Sequence, residues 1–405
     1  MIVQEHIRNL RRLAVACAAV AFAASPCLHA DEAPIGVFDS GLGGFTVLES
    51  LLDTDLYDNV TGRPEADGRP DLACERFVYL GDQANMPYGD YAAAGKSDLL
   101  RRLIVDDAEF LLATNCHRSV ADRAPTAAKP RAKIIVIACN TATAWGLADV
   151  RRRAAGEGVK VVGVIEAGVR ATLDMLEAGP ASRPFAIGVL ATPGTIASGA
   201  YARTIRQELK ARGVTAEVPV VDQGCAGLAD AVEAGSPAAD AIARSNLCAL
   251  VEHHRVSGSS VPLRAVILGC THYPFVLATL NRTVAELRSR GESLPPDFRF
   301  VDPARYTAAE CFRLLRESGR LSTSSVPGGS MAFLSVANPD LPSSCLTPDG
   351  ALTREFKYGR AADFREVVTR PVPFTRAAFG DAVFANIARL LPRTAALLDS
   401  QEVVR

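Results

Sequence analysis

The chain has 405 residues, of which 48% are hydrophobic and 22% charged, so it is long and apolar enough to bury a large core. This length favours about two domains. The formal net charge is -1, which argues against a nucleic-acid-binding protein because no basic excess is available to meet phosphates. None of the ten cysteines forms a Cys-x-x-Cys pair, so the sequence carries no zinc-site signature.

Residues 1–30 differ in composition from the rest of the chain. A stretch with three arginines precedes the apolar run 13–24, and small residues follow up to Ala30. This order is typical of a secretory signal peptide, and the run is too short for a comfortable membrane span. We predict a signal peptide and an exported, periplasmic protein; the alternatives are an apolar N-terminal helix or a start codon assigned too far upstream. In an oxidising compartment some cysteines could pair, for example near Cys74 and Cys116.

Short apolar runs alternate with helical patterns along most of the chain. The runs that predict buried strands are 34–39, 77–80, 134–138, 161–165, 187–190, 218–221 and 265–268. The stretches that predict helices are 45–52, 98–114, 142–154, 169–177, 198–212, 226–255, 275–290 and 378–398. Segments rich in polar residues, glycine and proline read as loops at 53–75, 115–132, 322–329 and 338–350. Strands that alternate with helices predict an α/β fold with mostly parallel sheets.

Chemically active side chains collect at the ends of these predicted strands. They are Asp39, Asp82, Cys139, Glu166, Thr192 and Cys270. Parallel sheets carry their ligand sites at the carboxyl ends of the strands, so we predict that these residues contribute to one site. The glycine-rich turn 40–44 follows the first strand and presents Asp39 and Ser40, with backbone N–H groups that could bind a carboxylate. An ordinary strand-to-helix turn is the alternative interpretation.

Two short runs, 137–141 and 268–272, resemble each other. Each follows an apolar strand, contains a cysteine (Cys139 or Cys270) and precedes a helix. A helix N-terminus lowers the pKa of a thiol, and a thiol with a lowered pKa is a good proton carrier. Two such thiols on opposite sides of a substrate could remove a proton from one face of a carbon and return it to the other. His272 is close enough to Cys270 to move its proton, although any of these residues alone would more often be a core residue.

The same segments resemble those of the aspartate/glutamate racemase family. The matching segments follow the family's order over about residues 34–310 and are 36–44, 81–82, 87–89, 138–142, 163–166, 194–201 and 268–274. The resemblance implies two facing α/β domains with the active site in the cleft between them. It also implies a cofactor-independent enzyme that interconverts L- and D-glutamate and supplies D-glutamate for peptidoglycan.

The resemblance also assigns roles to individual residues. Cys139 and Cys270 would act as opposed acid and base, with Asp39 assisting Cys139 and with His272 and Glu233 assisting Cys270. The residues that would hold the substrate are Ser40, Tyr88, Gly89, Asn140, Thr141 and Thr271. The sequence departs from the family pattern at Gln83 and Asn85, at 223–226, and in its longer loops.

The resemblance further predicts the domain boundaries and the partners. The first domain would be discontinuous, 31–164 plus 292–405, and would carry Cys139; the second, 165–291, would carry Cys270. The expected ligand is a small acidic amino acid, with no nucleic acid and no stable membrane span, and a homodimer is an open expectation. The alternatives are an aspartate or broad-specificity racemase, and an exported acidic amino-acid binding protein without turnover. The sequence assigns no role to 318–370.

Overall fold

We describe the protein from a computed structural model over residues 31–177, 184–215, 218–323, 329–364 and 366–402. The predicted signal peptide over 1–30 lies outside these residues. Within the described ranges, no helix is long and apolar enough to cross a membrane.

The strands form two main sheets. In chain order they are β1 (Ile35–Asp39), β2 (Phe77–Gly81), β3 (Asn115–Cys116), β4 (Ala127–Ala128), β5 (Ile134–Ile137), β6 (Lys160–Gly163), β7 (Ala186–Ala191), β8 (Val220–Gly224), β9 (Leu263–Gly269), β10 (Arg299–Val301), β11 (Met331–Ala337) and β12 (Thr369–Pro373). The first sheet has the order β12-β11-β2-β1-β5-β6, and the second has the order β10-β9-β7-β8. All their pairings are parallel except the one between β11 and β12, which confirms the predicted α/β class with mostly parallel sheets.

Helices connect the strands and cover the sheets. In chain order they are α1 (Phe45–Asp53), α2 (Gly89–Ala93), α3 (Ser97–Leu112), α4 (Asn140–Ala155), α5 (Val164–Glu177), α6 (Pro193–Ser198), α7 (Ala200–Ala211), α8 (Leu228–Glu233), α9 (Ala238–Val256), α10 (Leu277–Ser289), α11 (Pro303–Glu317), α12 (Arg354–Gly359), α13 (Arg376–Phe379), α14 (Asp381–Leu390) and α15 (Pro392–Asp399). The central strands β1, β5, β7 and β9 are buried along their whole length, as expected for parallel strands covered on both faces.

Two predicted helices are interrupted for local reasons. The stretch 198–212 contains the boundary between α6 and α7 because Gly199 has a φ of 64°, a left-handed conformation that favours glycine. The stretch 378–398 divides into α13, α14 and α15. Gly380, with a φ of 85°, makes the first break, and Pro392 begins the last helix at a position where its missing N–H does no harm.

Two predicted strand or loop segments also differ from the structure. The apolar run 161–165 is a strand only up to Gly163, because α5 begins at Val164 and buries Val164 and Ile165 in the core. Glu166 is therefore a helical residue, and it pairs with Arg151 (Nη1 to Oε1, 2.9 Å) instead of ending a strand. The weakly patterned segment 318–370 supplies β11 and the beginning of β12, which extend the first sheet beyond β2.

The second sheet is longer than the predicted boundary at residue 291 allows. Strand β10 (Arg299–Val301) pairs with β9, so the last strand of that sheet lies within the range assigned to the first domain. The chain then returns through α11 to the first sheet, and α11 packs against α5. At this crossing a Cβ atom on Gly168 would lie 2.8 Å from the Cβ of Pro303, so only glycine permits the close approach.

The loop 115–132 is attached to the segment 318–370, which we call the C-terminal insertion. Strands β3 and β4 form a small antiparallel hairpin within the loop. The Nη1 atom of Arg370 donates to the carbonyl oxygen of Val120 at 2.7 Å, and its Nη2 atom donates to Asp340 at the same distance. Cys74 and Cys116, near which disulfide pairing was left open, are free thiols in the structure, as are the other cysteines of the described residues.

Candidate active site

Cys139 lies at the point where β5 meets α4. It is the N-cap of α4, and its Sγ atom accepts a hydrogen bond from the N–H of Ala142 at 3.3 Å. The thiol donates to the Oγ atom of Ser40, 3.8 Å away, which follows the neighbouring strand β1. Burial and the nearby carboxylate of Asp39 raise the pKa of the Cys139 thiol, while the Ala142 N–H and Ser40 oppose this shift. Burial therefore outweighs the lowering of the pKa that a helix N-terminus was expected to give at Cys139.

Asp39 ends β1 beneath this thiol and is fully buried. Its Oδ2 atom accepts a hydrogen bond from the N–H of Gly41 at 3.0 Å, whereas its Oδ1 atom has no hydrogen-bond partner among the described residues. Burial raises the pKa of Asp39 to about 6, against the opposing effect of His272. A carboxyl group with this pKa can change its protonation state near neutral pH.

Cys270 follows β9, and with His272 and Glu233 it forms a row of closely spaced ionisable side chains. Its Sγ atom lies 3.7 Å from Nδ1 of His272, and Nε2 of His272 lies 2.5 Å from Oε2 of Glu233 at the end of α8. Burial lowers the pKa of His272, but Cys270 and Glu233 outweigh this effect and raise it well above its usual value. The geometry suits an imidazole that exchanges a proton with the thiol while Glu233 balances its charge.

Residues of the two sheets meet directly at this site. A Cβ atom on Gly43 would lie 2.4 Å from Cε1 of His272, so the glycine-rich turn of the first sheet packs against the imidazole. The Oγ1 atom of Thr46 donates to the carbonyl oxygen of Thr271 at 3.1 Å. Both thiols are almost covered, with exposed fractions of 6% for Cys139 and 8% for Cys270. The carboxyl ends of the two sheets thus bring both cysteines into one buried region.

Two further residues predicted to hold substrate lie at the same junction. Oδ1 of Asn140 accepts a hydrogen bond from the hydroxyl of Tyr201 at 2.6 Å. Oγ1 of Thr141 lies 3.1 Å from Oγ1 of Thr192 and 2.9 Å from Oγ1 of Thr195. Sequence analysis assigned no site role to Tyr201 or Thr195, although both fall in the matching segment 194–201. The sequence signal that could have pointed to these two residues was the position of Thr192 directly after β7.

The side chain of Tyr88 points away from this junction. Its hydroxyl lies 2.6 Å from Asp82 and 2.7 Å from Asp107, inside the first sheet's own core. Only the backbone of Tyr88 is therefore available to a substrate. Gly89 faces the second sheet, because a Cβ atom on it would lie 3.2 Å from Thr192.

No group of three or more histidine, cysteine or acidic side chains within the described ranges could hold a metal ion. A cavity of about 450 Å³ reaches Glu233 and His272 from the side of α14.

Comparison with known proteins identifies the family. The Asp/Glu/hydantoin racemase family profile matches residues 105–311. A glutamate racemase from Thermus thermophilus is 32% identical over 291 residues, which cover 72% of this chain and 83% of that protein. The chain belongs to the Asp/Glu/hydantoin racemase family. This racemase-family protein is accordingly an isomerase, as the sequence predicted.

A second relative is similar in sequence, and two solved structures are similar in fold. A glutamate racemase from Limosilactobacillus fermentum is 31% identical over 284 residues, covering 69% of this chain and 79% of that protein. The crystal structure of a Bacillus anthracis glutamate racemase has the same fold, with a TM-score of 0.53, 24% identity, and coverage of 75% of this chain and 89% of that one. A Francisella tularensis glutamate racemase in complex with D-glutamate has a TM-score of 0.50 at 24% identity, covering 84% and 98% of the two chains.

Proposed function

We propose that this protein interconverts L-glutamate and D-glutamate by a two-base mechanism, in which Cys139 and Cys270 act on opposite faces of the substrate's α-carbon. The observation that carries the proposal is the pair of thiols at equivalent strand ends of two facing sheets. Each thiol lies near an ionisable side chain, Asp39 in the case of Cys139 and His272 in the case of Cys270. Relatives at 31–32% identity that are named glutamate racemases support glutamate as the substrate.

The reaction requires one thiolate and one thiol. The thiolate takes the α-proton, the carbanion is reprotonated on the opposite face by the other thiol, and the roles exchange in the reverse direction. The α-proton is weakly acidic, so hydrogen-bond donors must stabilise the developing negative charge. The side chains proposed to hold the substrate are Ser40, Asn140, Thr141 and Thr271, together with the backbone of Tyr88 and Gly89. No cofactor is required by this scheme.

Substrate must reach two thiols that are almost fully covered. We therefore propose that the two sheets separate to admit glutamate and close around it. Closure would remove water from the site and strengthen its electrostatic interactions. The proposed division into two domains, one carrying Cys139 and the other Cys270, provides the bodies that would move.

The test is proton exchange in D2O. Purified protein incubated with L-glutamate should yield D-glutamate and place deuterium at the α-carbon. Cys139→Ala and Cys270→Ala should each abolish racemisation, whereas Cys248→Ala, which alters a thiol on α9, should leave it unchanged. Absence of both exchange and D-isomer would refute the racemase, and full activity in either active-site mutant would refute the two-base mechanism.

The same assay separates the remaining substrates. Rates measured with glutamate, aspartate and neutral amino acids would distinguish a glutamate racemase from an aspartate or broad-specificity enzyme. Calorimetry that shows tight glutamate binding without turnover would instead indicate a binding protein.

The biological setting is also a proposal. A glutamate racemase would supply D-glutamate for peptidoglycan, and the predicted signal peptide over 1–30 would place this activity outside the cytoplasm. N-terminal sequencing of the protein from separated cell fractions tests that placement. Light scattering tests the proposed homodimer.

A further inference from the structure

The hydroxyl group of Tyr88 lies between two buried carboxyl groups. Its oxygen is 2.6 Å from Oδ2 of Asp82 and 2.7 Å from Oδ2 of Asp107. The exposed fractions of the three residues are 1% for Tyr88, 3% for Asp82 and 5% for Asp107. A tyrosine hydroxyl has one hydrogen and can donate it to only one of these oxygens. The second contact requires a hydrogen on a carboxyl group, because otherwise two lone pairs would face each other.

The other hydrogen bonds decide which carboxyl group carries that hydrogen. Asp82 accepts from Nδ2 of Asn85 with both oxygens, at 3.0 and 2.9 Å, and from Oγ of Ser335 at 2.6 Å. The hydroxyl of Ser335 accepts from the N–H of Ala84 through a lone pair, which leaves its hydrogen free to donate to Asp82. Asp107 has no hydrogen bond besides the one with Tyr88 in the described part of the chain. A carboxylate surrounded by donors is stabilised as an anion, whereas one without them is not.

We propose that Asp107 is a neutral carboxylic acid in the folded protein, and that it donates its hydrogen to Tyr88 and so positions the 87–89 loop of the active site. Tyr88 in turn donates to the ionised Asp82, which gives a directed chain from Asp107 through Tyr88 to Asp82. The positioning role rests on the proposed racemase function; the protonation state does not. Asp107 is a positioning residue, since it acts on the substrate only through Tyr88.

The charged groups around Asp107 are consistent with this assignment. Burial and the neighbouring Asp82 raise the pKa of Asp107 well above its usual value, and Tyr88 opposes the shift. The titratable and charged groups that face it directly or across a cavity of about 500 Å³ are Asp39, Asp82 and Tyr88 from the first sheet and its loops, Arg102, Asp106 and Glu109 from its own helix α3, Cys116 and His117 from the loop 115–132, and Arg360 and Glu366 from the C-terminal insertion.

The two guanidinium groups in that set bind other residues. Arg102 pairs with Asp106, and Arg360 donates to Asn85. Within the described residues neither hydrogen-bonds to Asp107, so no direct ion pair holds this carboxyl group as an anion.

The link from Asp107 to the active site is short. Tyr88 directly precedes Gly89, whose carbonyl oxygen would lie 2.4 Å from a Cβ atom on Gly194. The 87–89 loop therefore packs closely against α6, which covers the second sheet, beside Thr192. Ionisation of Asp107 would place two negative charges on either side of one hydroxyl and push this loop out of place.

The decisive experiment is the pH dependence of unfolding, which needs no substrate. A carboxyl group whose pKa is higher in the folded than in the unfolded state makes folding take up a proton between these two pKa values, so stability falls as pH rises. Asp107→Asn keeps a donor to Tyr88 but binds no proton. The ratio of its folding equilibrium constant to that of the wild type should therefore rise about tenfold per pH unit above about pH 4, and level off at the folded pKa. The control is Asp98→Asn, an exposed residue of the same helix, which should give a flat ratio.

A racemase assay then tests the positioning role. Asp107→Leu removes the donor and should raise KM for glutamate about tenfold, as expected for one lost hydrogen bond, while Asp107→Asn restores most of that loss. If the ratio of folding equilibrium constants for Asp107→Asn does not change with pH, Asp107 is not the protonated carboxyl group. The same conclusion follows if the ratio rises with pH for Asp82→Asn and not for Asp107→Asn. Equal KM values for the Leu and Asn variants would overturn the positioning role. Absence of any racemase activity in the wild type would refute the proposed function and leave the stability result standing.

Discussion

Glu233→Gln is the sharpest perturbation of the Cys270 side of the site. Nε2 of His272 and Oε2 of Glu233 are 2.5 Å apart, and their side chains are only 4% and 18% exposed. Glutamine keeps the length and shape of the side chain but removes the negative charge that balances an imidazolium. The substitution therefore isolates the electrostatic contribution of Glu233 from its packing.

The size of the effect follows from this burial. A hydrogen bond to a charged group contributes about 1.5–3 kcal/mol, and about 1.4 kcal/mol corresponds to a tenfold change in rate. We expect kcat to fall about 10- to 100-fold, with little change in KM because His272 carries a proton and does not hold substrate. Cys270 and Glu233 raise the pKa of His272 against the effect of burial, so the mutation lowers that pKa. The protonated imidazole is then lost at a lower pH than in the wild type.

The assay is polarimetric racemisation of L- and D-glutamate across a pH series, with deuterium incorporation measured in parallel. Glu286→Gln is the matched control, because Glu286 forms an exposed pair with Arg244 on the surface at 2.9 Å. The control should match the wild type. A Glu233→Gln enzyme that is folded and lies within threefold of wild-type kcat at every pH would refute the role assigned to this pair.

Three further changes probe other parts of the site. The pKa of Asp39 is raised to about 6, so kcat/KM should fall as the pH drops through 6 and the carboxylate near Cys139 is protonated. If Asp39→Asn still shows this fall of kcat/KM at low pH, Asp39 is not its cause. Lys357→Met removes the 2.6 Å hydrogen bond from Nζ to the carbonyl oxygen of Met86, the residue directly before the 87–89 loop. Loss of this bond should raise KM about tenfold in steady-state kinetics, and Lys357→Arg should reverse part of that rise. Gly43→Ala would place a methyl group 2.4 Å from the imidazole and should lower kcat at least tenfold with an unchanged circular dichroism spectrum.

The sequence predicted the two cysteine positions well because the signal is local. Each apolar strand is fully buried, so it reads as a continuous run, and each cysteine comes immediately after it. Parallel strands then bring both carboxyl ends to one edge. The pairing of His272 with Glu233 could not be read locally, because the two residues are 39 positions apart and α8 has no strong pattern. Only the resemblance to the racemase family suggested it.

Tyr88 and the C-terminal insertion escaped prediction for a different reason. A tyrosine beside a predicted substrate glycine looks like a binding residue, and its direction depends on carboxyl groups at Asp82 and Asp107 that adjoin it only in the fold. Strand β12 contains Pro371 and Pro373, which argue against a strand, but it lies at a sheet edge where proline is tolerated. Both outcomes depend on tertiary contacts.

Two thiol catalysts behind a predicted export signal would have to survive an oxidising compartment. The thiolate is the species that reacts with oxidants and disulfides, and its reaction requires access. Cys139 and Cys270 are only 6% and 8% exposed, so oxidants have little access to either thiol in the unliganded protein. The same burial that would require the two sheets to open for the proposed substrate would thus limit oxidation between turnovers. An export signal and a thiol mechanism are therefore compatible in one chain, provided that opening is coupled to substrate.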